Sequence, residues 1–145
     1  MRKEFLAALV ALFWAFGAHA PIVYAQGIPD GERAAIRSTI ERQVDAFRAD
    51  DGERAFAFAD ENIRAMFGDP ARFMAMVREG YAMIYRPRSY AFGAAEDRGD
   101  VVAQIVEFDG LDGTSAVAVY EMRRQPGGGF RIAGVYLLRA QRPGV

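Results

Sequence analysis

The stretch DVVAQIVEFDGLDGTSAVAVYEMRRQPGGGFRIAGVYLLRA, residues 100–140, decides the fold, because it alternates strand-forming runs with turn residues. Its valine- and isoleucine-rich runs predict strands over residues 100–109, 114–124 and 130–140. The glycine-rich segments between them, residues 110–113 and 126–129, predict tight turns. A weaker candidate for a preceding strand lies at residues 88–95. Four consecutive strands joined by short connections indicate an antiparallel meander.

The chain before these strands has helical spacing of its apolar residues. The first predicted helix, over residues 32–50, has one apolar stripe, formed by Ile36, Ile40, Val44 and Phe47. Asp30 is the expected N-cap of this helix. A second helical stretch over residues 53–67 is expected to break near Asp60. A third helix is expected to begin at Pro70, with Asp69 as its cap, and to end near Gly80.

Helices followed by a run of strands indicate an α+β fold, with the N-terminal helices packed on one face of a curved antiparallel four-stranded meander. The length of 145 residues fits one domain, which we place at residues 26–145. The chain contains no cysteine, so the core must stabilise the domain without disulfides.

The turns suggest a strand register and therefore two sheet faces. Pairing Asp109 with Thr114, and Met122 with Ile132, would place Tyr120 opposite both Ala103 and Gly134. The face predicted to pack on the helices then carries Val101, Ala103, Ile105, Glu107, Ala116, Ala118, Tyr120, Met122, Ile132, Gly134, Tyr136 and Leu138. The other face carries Gln104, Val106, Phe108, Val117, Val119, Glu121, Arg123, Arg131, Val135, Leu137 and Arg139. Its apolar centre predicts either a homodimer interface or exposed residues that merely favour strands.

Residues 1–25 have the order of a secretory signal peptide. Arg2 and Lys3 precede an almost wholly apolar run over residues 5–20, and small residues follow at Ala20 and Ala25. We predict cleavage after Ala25 and an exported, periplasmic or secreted protein that is not membrane-bound afterwards. An uncleaved anchor is the alternative, although the run is shorter than the roughly 20 apolar residues of a spanning helix.

Missing residue types exclude several chemistries. The only lysine and the only histidine, Lys3 and His19, lie in the predicted signal, so residues 26–145 contain no histidine, cysteine or lysine. This domain therefore cannot form a Ser-His-Asp triad, a thiol nucleophile, a lysine Schiff base or an ordinary zinc site. We expect neither a metal nor a cofactor. The formal net charge of −1 and the scattered arginines argue against nucleic acid as a partner.

Two sets of residues are candidates for a site. A carboxylate base beside a neutral hydroxyl could act in an apolar pocket, and Glu107 with Tyr120 or Tyr136 would supply that minimum. The alternative is an ion pair for Glu107 and a core role for the tyrosines.

The second set lies in the segment YAMIYRPRSY, residues 81–90. It consists of Tyr81, Tyr85, Arg86, Arg88 and Tyr90. This cluster could form the lip of a pocket for a small anionic or aromatic ligand, because arginine and tyrosine together offer charge, hydroxyls and stacking. Alternatively, the arginines pair with acidic residues of the helices and the tyrosines are packed.

The segment FRADDGERAFAFADENIRAMFGDPARFMAMVREGYAMIYRPRSYAFG, residues 47–93, and the later GFRIAGVYLLR, residues 129–139, resemble a bacterial exported family known as domain of unknown function 4864. FGDP, GY and YRPR are its distinctive parts. This resemblance implies no activity and transfers no catalytic residue. At the level of the fold, the order of elements looks like the nuclear-transport-factor-two-like, or cystatin-like, cone. That resemblance implies a pocket between the sheet and the helices, but no particular function.

Three functions remain open from the sequence. We expect first a non-enzymatic exported domain that binds a small molecule or a protein partner in the cell envelope. The second is a cofactor-free enzyme of the isomerase or dehydratase kind, and the third is a structural dimerisation module. A carboxylate within hydrogen-bond reach of a pocket tyrosine would distinguish the enzyme from the other two.

Overall fold

The computed structural model describes residues 27–141 of the chain, over which helices precede strands. The helices are α1 (Asp30–Arg48), α2 (Gly52–Ala57), α3 (Glu61–Phe67), α4 (Pro70–Gly80) and α5 (Ala82–Tyr85). The strands are β1 (Pro87–Asp97), β2 (Val101–Gly110), β3 (Ser115–Arg124) and β4 (Phe130–Gln141). All neighbouring strands are antiparallel, in the order β1-β2-β3-β4. The predicted α+β class with a four-stranded meander is confirmed.

Helix α1 supplies the main apolar stripe of the core. Ile36, Ile40, Val44 and Phe47 are all buried, as their spacing predicts. The expected N-cap was wrong, since Asp30 is the first helical residue and Pro29 occupies the cap position without a side-chain hydrogen bond. Because proline cannot donate a backbone hydrogen bond, it is well tolerated at the start of a helix.

The predicted break near Asp60 separates α2 from α3 and has a structural role. Residues 58–60 run beside β4, where the Asp60 N–H donates to the Ile132 carbonyl at 2.8 Å and the Ile132 N–H donates to the Phe58 carbonyl at 2.9 Å. Asp60 then caps α3 through the Ile63 N–H, and Asp69 caps α4 through the Arg72 N–H, as predicted. The short helix α5 was not predicted.

The register between β2 and β3 differs by one residue from the prediction. Asp109 pairs with Ser115 instead of Thr114, because the Gly110 N–H donates to the Thr114 carbonyl at 2.7 Å and these two residues close the turn. A shift of one residue turns every side chain of a strand to the other face. The face that packs on the helices, here called the inner face, therefore carries Val102, Gln104, Val106 and Phe108 of β2, which are all buried.

An irregularity at Ala133 changes the register between β3 and β4. Met122 pairs with Ile132, as predicted, but Gly134 pairs with Glu121, and Tyr120 lies opposite Val135. Tyr136 consequently pairs with Val119, on the opposite side of the sheet from the inner face, here called the outer face, and is 55% exposed. The predicted pairs Tyr120–Gly134 and Ala118–Tyr136 were wrong, because the extra residue in β4 moves its later residues relative to β3.

The predicted signal peptide at residues 1–25 lies outside the described residues. Among residues 27–141, no helix is both long enough and apolar enough to cross a membrane.

Candidate functional site

A cavity of about 470 Å³ lies between the helices and the sheet, and we call it the internal cavity. Side chains of α1, α3, α4 and α5 form one side of it, and residues of β3 and β4 form the other. Its apolar wall consists of Phe47, Ala59, Ile63, Met66, Phe67, Phe73, Met76, Val77, Ile84, Ile132, Ala133 and Val135. The volume and the apolar lining are typical of sites for small molecules.

Tyr120 of β3 is the most unusual polar residue of the cavity wall. Its side chain is completely buried, with its ring 6.2 Å from that of Phe108. Within residues 27–141, its hydroxyl has no hydrogen-bond partner. Burial, and secondarily the neighbouring Tyr90, raises the pKa of Tyr120 above the ordinary value for tyrosine, so its hydroxyl stays protonated. Tyr120 thus lines the cavity and has a covered hydroxyl, a hydrogen-bond donor that is not used within residues 27–141.

Three other polar residues of the wall have different surroundings. Gln43 is buried on α1, and its side-chain amide donates to the Ala55 carbonyl at 3.2 Å, which joins α1 to α2. The Tyr81 hydroxyl donates to the Val135 carbonyl at 3.2 Å and joins the end of α4 to β4. The third is Tyr136, which belongs to the outer face and is more than half exposed, and which lines the cavity where it opens to solvent at the edge strand β4.

The structure does not bring the three predicted catalytic residues together. Tyr120 and Tyr136 both line the internal cavity, but Glu107 does not. Glu107 is exposed and pairs with Ala91 and Val117, on the outer face. The placement of Glu107 on the same face as Tyr120 was wrong, for the reason already given: the register of β2 differs from the prediction by one residue. None of the residues that line the cavity is acidic.

Of the five residues predicted to form a ligand-binding lip, only Tyr81 lines the internal cavity. Tyr85 and Arg86 instead contact Asp50, which follows α1: the Tyr85 hydroxyl donates to its carboxylate, and Arg86 donates to it at 2.9 Å. The Tyr85 hydrogen bond, and then the charge of Arg86, lowers the pKa of Asp50 below its ordinary value. This is the alternative arrangement considered from the sequence, in which arginine pairs with an acidic residue.

The last two residues of the predicted lip have different contacts. Arg88 donates to the Leu111 carbonyl in the turn between β2 and β3, at 3.3 Å. Tyr90 lies beside the core, where its ring is 5.7 Å from that of Phe108. The predicted lip is therefore dispersed, and a ligand-binding role for Tyr85, Arg86, Arg88 and Tyr90 stays a prediction.

Sequence reasoning missed Gln43 and the wall residues of α3 and α4. For Gln43 a signal was present, because it lies three residues after Ile40 and four before Phe47, within the apolar stripe of α1. A polar residue at such a position is either paired in the core or part of a site, and here it is both. Among residues 27–141, no three His, Cys, Asp or Glu side chains are grouped so that they could hold a metal ion.

Comparisons with known proteins give one family. The model of a family described as "Domain of unknown function (DUF4864)" matches residues 29–145. Comparison with curated proteins gave no match, and comparison with solved structures gave none either. The expected likeness to the nuclear-transport-factor-two-like cone therefore has no support from a related structure and stays a prediction.

Proposed function

This chain belongs to the family described as domain of unknown function (DUF4864), and we propose that its domain binds a small, mainly apolar molecule in the internal cavity. The observation that carries the proposal is a space of about 470 Å³ with an apolar wall and one buried, unpaired hydroxyl. The cavity is open to solvent on one side, where Met66 and Tyr136 are largely exposed, so part of its apolar wall faces water. A ligand that covers this wall would remove apolar surface from water and stabilise the folded state.

Binding is better supported than catalysis of the isomerase or dehydratase kind. That chemistry needs a carboxylate base close to the bound substrate. Glu107 lies on the outer face, and the residues that line the internal cavity include no aspartate or glutamate. The wall therefore offers packing and hydrogen bonding to a ligand, but no group suited to abstract a proton from it.

We also propose that the domain acts in the cell envelope or outside the cell. The support comes from the order of charged, apolar and small residues over positions 1–25. The test is the intact mass of the protein recovered from an expressing bacterium. A chain that begins at Gln26 supports export with cleavage, whereas a chain that retains residues 1–25 supports an anchor or no export.

A neutral fluorescent dye tests the proposed binding. N-phenyl-1-naphthylamine, whose emission increases in apolar surroundings, should bind the purified protein, and the replacement Met76→Trp should weaken that binding about tenfold or more. Met76 lines the internal cavity, so a larger side chain there occupies the space and resists a ligand.

The matched control is Leu111→Trp. Leu111 is exposed in the turn between β2 and β3 and is not part of the cavity wall. This variant should bind the dye as the unmodified protein does. If the dye does not bind, or if both variants bind it equally well, the internal cavity is not a ligand site.

A second proposed function, dimerisation, has its own support on the outer face. Val117 and Val119 are only partly buried there, and Tyr136, which pairs with Val119, is largely exposed. Apolar residues grouped in this way on a sheet often form an interface. A second copy of this chain is the partner that we propose.

A further inference from the structure

The hydroxyl of Tyr120 gives information about the chemistry of the ligand. Buried polar groups in folded proteins nearly always have a hydrogen-bond partner, and leaving one without a partner costs free energy. Tyr120 is 0% exposed, and its hydroxyl is one of two buried side-chain polar atoms without a partner in the described residues, with Arg64 Nε. A phenylalanine would fill the same apolar space without this cost. The hydroxyl is therefore explained best by a partner that is bound next to it.

The wall of the internal cavity restricts the charge of that partner. Its polar residues are the neutral Gln43, Tyr81, Tyr120 and Tyr136, and no charged side chain is among the residues that line it. A charged molecule would lose its hydration on entering and would gain no opposite charge in return. A neutral molecule does not have this cost.

The protonation state of Tyr120 ensures that its hydroxyl can donate a hydrogen bond. Because its pKa is raised by burial, the hydroxyl keeps its proton and can donate it. The Tyr81 hydroxyl, in contrast, already donates to the Val135 carbonyl, and the Gln43 amide already donates to the Ala55 carbonyl. Of these three donors, only the Tyr120 hydroxyl has no partner within residues 27–141, and a ligand in the cavity reaches it when the side chains that cover it move aside.

We propose that the ligand is a neutral, mainly apolar molecule with a carbonyl or similar acceptor oxygen, which receives a hydrogen bond from the Tyr120 hydroxyl. This inference rests on the proposed function, and of the anionic or aromatic ligand expected from the sequence it keeps the aromatic alternative. The rest of the ligand packs against the aromatic and aliphatic side chains of the wall. Selectivity for the acceptor then comes from Tyr120, because a ligand without an acceptor leaves the hydroxyl unpaired.

Three compounds with the same ring system separate these contributions: fluorenone, fluorene and fluorene-9-carboxylate. Fluorenone is neutral and carries a carbonyl, fluorene lacks any acceptor, and the carboxylate is charged. Each is titrated against the protein loaded with N-phenyl-1-naphthylamine, and displacement of the dye is measured. We expect fluorenone to displace the dye at concentrations about threefold to tenfold lower than fluorene, as for one hydrogen bond, and the carboxylate to be weakest.

The variant Tyr120→Phe should remove the difference between fluorenone and fluorene without weakening the binding of fluorene. Tyr85→Phe is the matched control, because Tyr85 is not part of the cavity wall and its hydroxyl bonds to Asp50, and it should keep the preference for fluorenone. The comparison of fluorenone with fluorene in the unmodified protein is informative even if a variant fails to fold.

The two proposals fail in different ways. If the dye does not bind the unmodified protein, the proposed function fails and this inference fails with it. If the dye binds but the ketone and the hydrocarbon compete equally, or if Tyr120→Phe keeps the preference, only the ligand chemistry is overturned. Preferred binding of the carboxylate would also overturn it.

Discussion

Arg124, at the end of β3, donates two parallel hydrogen bonds to Glu32 in the first turn of α1. Its Nε donates to Oε1 at 3.1 Å, and its Nη2 donates to Oε2 at 2.7 Å. The same guanidinium also binds Asp97 at the end of β1, through Nη1 at 3.0 Å and Nη2 at 2.9 Å. One arginine thus joins the first helix to two strands. Bidentate pairs of this kind are the strongest arrangement of arginine with carboxylate.

The network around Arg124 predicts a pH dependence of stability. Hydrogen bonds from Arg124 lower the pKa of Glu32 and the pKa of Asp97 below their ordinary values of 4.5 and 3.8. The folded state therefore favours the ionised carboxylates, and this stabilisation is complete above the ordinary values and is lost as the pH falls through and below them. Thermal unfolding followed by circular dichroism should show the melting temperature decreasing over this acid range.

Arg124→Gln tests the origin of this effect. We expect a lower melting temperature near neutral pH and a weaker dependence on acid, because the carboxylates lose their partner. Arg98→Gln is the control, since within the described part of the chain the Arg98 side chain pairs only with the exposed Glu96, at 3.2 Å, and exposed pairs contribute little. Equal pH profiles for the unmodified protein and Arg124→Gln would contradict the prediction.

Removing the hydroxyl should lower the stability of the protein at one tyrosine of the internal cavity but not at another. Tyr81→Phe removes a hydrogen bond to the Val135 carbonyl and should reduce the free energy of unfolding by about 0.5–1.5 kcal/mol. Tyr120→Phe removes an unpaired hydroxyl and should leave the ligand-free protein equally stable or up to about 1 kcal/mol more stable. Urea denaturation of both variants provides the comparison. A clear loss of stability in Tyr120→Phe would mean that its hydroxyl has a partner within the protein.

Asp60 should be the most sensitive of the helix caps. One of its carboxylate oxygens accepts from the Ile63 N–H at 3.0 Å, and the other accepts from Arg123 Nε at 3.0 Å. Its side chain is 4% exposed. Asp60→Ala should cost about 2–4 kcal/mol, because it removes both a cap and a charged hydrogen bond.

Asp51→Ala is the matched control for Asp60. Asp51 caps α2 through the Arg54 N–H at 3.1 Å in an exposed position, so its removal should cost only about 1 kcal/mol. Urea denaturation measures both losses. Equal values would show that the bond between Asp60 and Arg123 contributes nothing to stability.

The proposed dimer predicts an effect of charge on the outer face. Light scattering at micromolar concentration should give twice the mass of one chain, and Val119→Arg should give the mass of one chain, because it places a charge at the centre of the apolar patch. Leu111→Arg, in the exposed turn, should remain dimeric. A single chain mass for the unmodified protein would rule out the dimer.

Local patterns predicted much of this fold correctly, and pairings between strands were predicted less well. The stripe of α1 depends only on spacing along one helix, so Ile36 and Phe47 were placed correctly. The face of β2 depends on which residues close a turn, and the bond between Gly110 and Thr114 moved the register by one residue. This shift alone explains why Glu107 lies on the outer face and not, as predicted, beside Tyr120.

The internal cavity was predicted only as an implication of fold resemblance. Its wall combines residues from α1, α3, α4, α5, β3 and β4, and their meeting depends on helix packing that spacing along the chain does not encode. Tyr120 was assigned to the inner face correctly, but its lack of a partner could not be predicted. That property depends on every group that surrounds it in three dimensions.

The short segment at residues 58–60 also affects how this protein can associate. By bonding to Ile132, it occupies the outer edge of the last strand at that point, and the Tyr81 hydroxyl occupies the Val135 carbonyl. Exposed strand edges are where fibrils and strand-exchanged dimers start. Strand addition is therefore hindered at Ile132 and Val135, so substitutions that loosen this segment should also make the protein aggregate more readily.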